Sequence, residues 1–210
     1  MKKIILIGGG GHCKSCIDII ECTSSYKILG IIDLEKKLKH SILGYPIIGT
    51  DDDILNLSPK TDFFFITLGH IGFNSRRKEL FSYLQYHQLP IATIISPTAI
   101  LARTAQVGIG TIIMHHGIIN ADANIHENCI INSKALIEHD VTVGSHCHIS
   151  TGSIINGAST IGDSSFIGSH STINFGLSIP SNTIIASSSL VSKSIVQPGT
   201  YKGVPVARYE

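Results

Sequence analysis

From Val107 to Val191, every sixth residue is isoleucine or valine: Val107, Ile113, Ile119, Ile125, Ile131, Ile137, Val143, Ile149, Ile155, Ile161, Ile167, Ile173, Ile179, Ile185 and Val191. A helix repeats every 3.6 residues and a strand every 2, so neither element alone carries a period of six. The pattern is that of a hexapeptide β-solenoid. It extends weakly upstream to Leu101 and Ile95, and no loop interrupts it.

The position two before each aliphatic is mostly small, as in Ala105, Ala123, Cys129, Ala135, Cys147, Ser153, Ser159, Ser165 and Ser171. Residues i and i−2 of a strand share a face, so each short strand sends one large and one small side chain inward. The residue after the aliphatic is often glycine or asparagine (Gly108, Asn120, Asn132, Gly144, Asn156, Gly162, Gly168, Asn174). Those types tolerate positive φ, so the tight corner is expected there. Three strand-and-corner units close a triangular coil of about 18 residues, and the hexads give about five coils.

Residues 1–94 have a different texture. Lys3 to Ile7 is a short apolar run, followed by Gly8-Gly9-Gly10-Gly11. Cys13 to Glu21 has helical spacing, Ile28 to Ile32 is a second strand ending in Asp33, and Phe63 to Thr67 is a third. Asn74 to His87 reads as a helix with Leu80, Phe81 and Leu84 on its apolar face, and Ile91 to Ile95 as a last strand. Alternating strands and helices make a parallel, Rossmann-like α/β sheet. A glycine turn between strand and helix lets phosphate oxygens approach backbone N–H groups. The full G-x-G-x-x-G fingerprint is absent, because its last position falls on Cys13 or Lys14. A nucleotide that is not a dinucleotide fits better. Gly9, Gly10 and Gly11 are the candidate phosphate contacts. His12 stands at the mouth of the turn, either to donate to a phosphate or to cap it. Asp33 stands where such folds hold a ribose or sugar hydroxyl, or is a surface turn carboxylate.

The net charge of +1 gives no nucleic-acid footprint. No apolar run reaches the roughly 18 residues of a membrane span. The opening Met1-Lys2-Lys3 followed by Ile4 to Ile7 is too short for a signal peptide and runs into glycines, so a cytoplasmic protein is expected. Five cysteines suggest no disulfide framework. Cys13-Lys14-Ser15-Cys16 has the C-x-x-C form of redox and metal sites but also suits two small residues on one helix face. Seven histidines lie in the solenoid without a compact set at fixed spacing, so no metal is expected.

His139 lies two places past an inward aliphatic, hence on an exposed corner, between Glu138 and Asp140. A carboxylate beside a histidine fixes its tautomer and raises its basicity, which suits a general base.

The combination of Gly8-Gly9-Gly10-Gly11-His12, Ile31-Ile32-Asp33, Ile137-Glu138-His139-Asp140 and Gly203-Val204-Pro205 resembles the NeuD/PglD-type sugar acetyltransferases of bacterial glycan synthesis. The resemblance covers nearly the whole chain. It implies three segments: a nucleotide-sugar-binding domain over 1–94, a left-handed β-helix over 95–194, and a tail over 195–210 that closes the coenzyme site. It also implies a homotrimer with acetyl-CoA along the groove between neighbouring coils. His139 matches the family's general base and Asp140 the acid that orients it. His148 matches a second histidine near the thioester, and Gly157 a backbone N–H facing the thioester carbonyl. Ala186-Ser187-Ser188 stands where relatives often have glycines, which puts Ser187 beside the pantetheine. Pro205 matches the closing motif. Val206 and Ala207 replace a small residue and a lysine, so Arg208 takes over phosphate pairing.

The implied acceptor is a nucleotide-linked 4-amino-4,6-dideoxy sugar, favoured by His12 and by Asp140 following His139. The stretches around Asn132, Ser150 and Asn156 look more like the sialic-acid branch, so O-acetylation of a sialic acid is the alternative. A trimeric zinc enzyme and a non-catalytic solenoid scaffold are the remaining classes.

Overall fold

The computed structural model describes residues 1–72 and 75–209, so Asn74, the expected start of a helix, lies outside the described residues. The chain divides into two compact units, Met1–Gly69 with Ser75–Pro97, and His70–Asn74 with Thr98–Glu210.

In the first unit, β1 (Lys2–Ile7), β2 (Tyr26–Ile32), β3 (Ser41–Ile42), β4 (Tyr45–Gly49) and β5 (Phe63–Ile66) form one sheet in the order β3-β4-β2-β1-β5. All pairings are parallel except β3 with β4. That edge hairpin is not signalled by alternation in the sequence. The expected strand from Ile91 to Ile95 is corrected: Ile91 makes only an isolated bridge to Phe64, and a two-residue strand follows at Ile94–Ile95. Pro90 has no N–H to extend the ladder before it. Helix α1 (Gly11–Thr23) buries Cys13, Cys16, Ile17, Ile19 and Ile20. After a short helix, α2 (Ile54–Leu57), α3 (Ser75–Tyr86) buries Leu80, Phe81 and Leu84 as expected, and also Arg77. Arg77 Nη1 donates to the carbonyls of Ile66 (2.6 Å) and Leu68 (3.0 Å), where β5 ends.

The second unit is the left-handed β-helix. The strands of successive coils pair in parallel at 18-residue spacing, as in Ile118↔Leu136 and Ile130↔His148. Of the aliphatic series, Ile113 through Val191 are buried in one core, and Val107 packs against its end. The small inward positions do more than fill space. The hydroxyls of Ser153, Ser159 and Ser171 donate to the carbonyls of Gly168, Asn174 and Ala186 at 2.8–2.9 Å. Cys129 and Cys147 donate through sulfur to Gly144 O and Gly162 O at 3.1 and 3.2 Å. Corner carbonyls inside the coil are thereby satisfied, worth about 0.5–1.5 kcal/mol each.

The corner chemistry corrects the sequence expectation. Positive φ falls three places after each aliphatic from Val107 to Ile185, on Gly110, His116, Asp122, Asn128, Lys134, Asp140, His146, Gly152, Ala158, Ser164, His170, Gly176, Asn182 and Ser188. The backbone N–H there donates to the coil below, as Asp140 does to Ala121 O at 3.0 Å, which offsets the roughly 1–2 kcal/mol of a left-handed residue. The glycines directly after the aliphatic have another reason. A Cβ at Gly108, Gly162 or Gly168 would stand 2.3–2.6 Å from backbone of the next coil. The asparagines there bind corner groups, such as Asn156 Nδ2 to Ile173 O at 2.9 Å.

Outward residues give the three faces distinct characters. One carries Gln106, Asn124, Thr142, Thr160 and Ser178. A second carries Ile112, Ile130, His148, Phe166 and Ile184. The third carries Ile100, Ile118, Leu136, Ile154, Thr172 and Leu190, an apolar stripe of which Ile100 is exposed and the rest half-buried. Beyond the last coil, the strand Gly199–Gly203 continues in parallel from Thr183–Ile185 and turns back as Val206–Tyr209.

Candidate active site

His139 sits on the corner between the apolar stripe and the polar face. Its Nδ1 is 2.8 Å from Asp140 Oδ2, and both side chains are more than half exposed, at 54 % and 60 %. The carboxylate accepts only, so Nδ1 carries the proton and the lone pair of the neutral ring is on Nε2. The hydrogen bond to Asp140, aided by the charges of Asp140 and Glu138, holds the imidazole pKa above its ordinary value. Glu138 is itself held by Asn120 Nδ2 at 2.9 Å.

Gly157 lies one coil beyond His139. A Cβ on it would be 2.7 Å from both Cε1 and Nε2 of His139, so only glycine leaves this place for the ring. One coil further, Phe175 is 65 % exposed, and its ring centroid is 6.3 Å from that of His139. The sequence pattern did not single out Phe175; its place follows from the 18-residue column shared with His139 and Gly157.

His148 is in a different environment, on the second face and 6 % exposed. Its Nδ1 donates to His70 O at 2.7 Å, and its Nε2 faces Asn132 Nδ2 at 3.2 Å. The Asn132 amide is oriented by Ser133 N–H, which donates to Oδ1 at 2.7 Å. A carbonyl and an amide N–H on its two nitrogens define a neutral Nδ1–H imidazole. Asn132 and His70 were not foreseen as its partners; His70 is 78 residues away.

In the first unit, Gly8, Gly9, Gly10, Asp33, Leu34, Lys37, Asp51, Leu68 and Arg76 are among the residues lining an open cleft of about 620 Å³ at the carboxyl ends of β1, β2 and β5. Ligands of open α/β sheets bind at such strand ends. Gly8 has φ +103° and its amide donates to Ile32 O. Asp33 Oδ2 accepts from Gly9 N–H at 2.8 Å and pairs with Lys37 Nζ at 2.6 Å, while Oδ1 accepts from Leu34 N–H at 2.7 Å. Burial alone would raise its pKa, but these bonds outweigh it and hold the carboxyl below its usual range. Asp33 therefore braces the glycine turn as well as facing the cleft. Gly10 and Gly11 have open space around them, and Gly10 caps α1 without a side-chain bond. His12 is half-buried beside Gly69, where a Cβ would meet its own Cβ at 2.8 Å. Lys37 and Arg76, the latter paired with Asp51, are cleft cations that no motif signalled.

In the tail, Pro205 and Arg208 are exposed, while Ile195 is buried in the solenoid core. Pro205 follows a cis peptide bond at the turn of the terminal hairpin. Arg208 Nη1 donates to Gln197 Oε1 at 3.0 Å. Ser187 lies on a third corner column, its amide 2.4 Å from where a Cβ on Gly168 would stand. Cys13 and Cys16 are fully buried, and burial pushes the Cys16 thiol far up, so this pair is core packing. Among the described residues, no helix is long and apolar enough to cross a membrane.

Residues 3–84 match the family model of the PglD N-terminal domain, and residues 122–157 that of the bacterial transferase hexapeptide in six repeats. UDP-N-acetylbacillosamine N-acetyltransferase of Bacillus subtilis (strain 168) is 31 % identical over 112 residues, 51 % of this chain and 49 % of that protein. The chain thus aligns with about half the length of this curated relative. The acetyltransferase domain of PglB from Neisseria gonorrhoeae has the same fold, with a TM-score of 0.92 at 24 % identity and full coverage of both chains. PerB from Caulobacter crescentus, solved with CoA and GDP-perosamine, superposes with a TM-score of 0.92 at 26 % identity, covering 100 % of this chain and 98 % of that one. The chain thus combines a PglD N-terminal domain over residues 3–84 with bacterial transferase hexapeptide repeats over residues 122–157, on the fold of the PglB and PerB acetyltransferases.

Proposed function

We propose that the chain is an acetyl-CoA-dependent N-acetyltransferase acting on a nucleotide-linked 4-amino-4,6-dideoxy sugar in bacterial glycan synthesis. One observation carries the reading: an exposed imidazole, fixed at Nδ1 by Asp140, with Nε2 turned over Gly157. The name of the Bacillus subtilis relative and the ligands solved with PerB support the substrate class.

In this reading Nε2 of His139 takes a proton from the amine as its nitrogen attacks the thioester carbonyl. Backbone N–H groups, Gly157 among them, hold the tetrahedral oxyanion, each worth about 3–4 kcal/mol. The carbon–sulfur bond then breaks, and the imidazolium returns the proton to the departing thiolate. Acetyl-CoA and amine become amide and free CoA, with no covalent enzyme intermediate. Cys129 and Cys147 point into the coil and stay outside the chemistry.

Gly9, Gly10, Gly11, His12 and Asp33 form the nucleotide-sugar site, joined by Lys37. Gly157, Ser187, Pro205 and Arg208 line the acetyl-CoA site, to which His148 adds a fixed neutral ring rather than a proton carrier. Residues 1–94, 95–194 and 195–210 are the corresponding acceptor domain, solenoid and closing tail. The apolar stripe Ile118-Leu136-Ile154-Leu190 is the surface on which a cytoplasmic homotrimer assembles, with His139 at its margin.

The test is an acceptor panel with acetyl-CoA, reading free thiol. UDP-, GDP- and dTDP-linked 4-amino sugars are offered beside sialic acid. Thiol release with an amino sugar supports the proposal, and release with sialic acid alone replaces it by O-acetylation.

A further inference from the structure

We infer that Phe175 is a specificity-determining residue that selects acceptors bearing a methyl group, rather than a hydroxymethyl group, beside the reacting amine. The inference rests on the N-acetyltransferase reading above and adds to it the chemistry of the position next to the amine. Phe175, Gly157 and His139 share one corner column at 18-residue spacing. Because Gly157 has no side chain, the rings on either side converge above it, with centroids 6.3 Å apart and planes tilted by 50°. Phe175 is 65 % exposed, so its ring stands in the open space of this corner rather than in the core.

An amine attacking within reach of His139 Nε2 sits about 2.6–3.2 Å from that atom. Phe175 then meets a substituent carried by a carbon that flanks the one bearing the amine. In a 4-amino hexose those carbons carry the C3 hydroxyl and the C6 group, and of the two only a C6 methyl suits an apolar ring. A C6 methyl gains an apolar contact against the ring. A C6 hydroxyl loses water there and finds no polar partner on phenylalanine, which is unfavourable. A pocket that merely disfavours an added hydroxyl discriminates by at most about 10²-fold.

The test compares a UDP- or GDP-linked 4-amino-4,6-dideoxyhexose with its 6-hydroxy counterpart, for the wild type, Phe175→Ala and Phe175→Leu. The wild type should favour the 6-deoxy acceptor in kcat/KM by about 10- to 100-fold. Phe175→Ala should bring that ratio to within a few-fold, mainly by weakening use of the 6-deoxy sugar, with KM for acetyl-CoA unchanged. Phe175→Leu should keep most of the preference. A wild type that uses both acceptors equally overturns the inference and leaves the N-acetyltransferase reading standing. So does a Phe175→Ala variant whose ratio is unaltered, whose KM rises for acetyl-CoA instead, or whose assembly changes. No transfer to either amine overturns both.

Discussion

The imidazole of His139 occupies the space that any side chain on Gly157 would take, with Cε1 and Nε2 both 2.7 Å from the would-be Cβ. The φ of Gly157 is not in the left-handed region, so alanine is tolerated by the backbone there and rejected only by the ring. Gly157→Ala should leave the thermal transition close to wild type and displace the imidazole. A displacement on the 1 Å scale costs about 10²-fold in turnover. Steady-state kinetics beside a melting curve measure both; full activity in a normally folded variant would contradict the assignment.

The pH dependence follows from the Asp140 bond. His139 works deprotonated at Nε2, and its pKa is raised, first by the hydrogen bond to Asp140. Activity should therefore rise with pH through a value above the ordinary one for histidine. Asp140→Asn removes that charge, so the acidic limb of kcat/KM should move to lower pH. The rate on the plateau should fall, because the base is weaker and its tautomer less fixed. A limb that stays in place, or moves up, sinks the pairing.

A charge placed in the apolar stripe tests the assembly. Leu136 and Ile154 are neighbours on adjacent coils of that face. Leu136→Glu or Ile154→Glu should shift the protein from trimer to monomer in sedimentation velocity. A monomeric wild type would refute the proposed interface.

Two glycine substitutions should separate steric glycines from open ones. At Gly162 a Cβ would lie 2.3 Å from Ser181 N and 2.7 Å from Pro180 C, both backbone atoms. Gly162→Ala should destabilise by about 1–3 kcal/mol or more, since the coils cannot move apart locally. Gly11 opens α1 with nothing within 4 Å, so Gly11→Ala should be neutral or stabilising by up to about 1 kcal/mol. Urea titrations of the two variants give the comparison.

The solenoid was legible because six-residue spacing is strict and its aliphatics are all inward. The corner was misread. Gly162 and Gly168 are glycine for lack of room beneath the next coil, whereas Lys134, His146 and Ala158 take the positive φ. Side-chain type alone does not separate close approach from backbone conformation when the stacked ladder overrides the intrinsic cost. His139 with Asp140 was readable since the two are adjacent in the chain. The burial of His148 was not, because it depends on His70, and the bracing of the glycine turn by Asp33 depends on an approach across 24 residues. Phe175 was hidden for the same reason: its neighbour His139 is two coils away.

The central claim is that His139 is the proton acceptor for an amine attacking acetyl-CoA. It is tested most directly by thiol release from His139→Ala with the acceptor that the panel selects. The account predicts a fall in kcat of at least about 10²-fold, the usual contribution of a general base, in a protein that melts and assembles like the wild type. Turnover equal to wild type would contradict it.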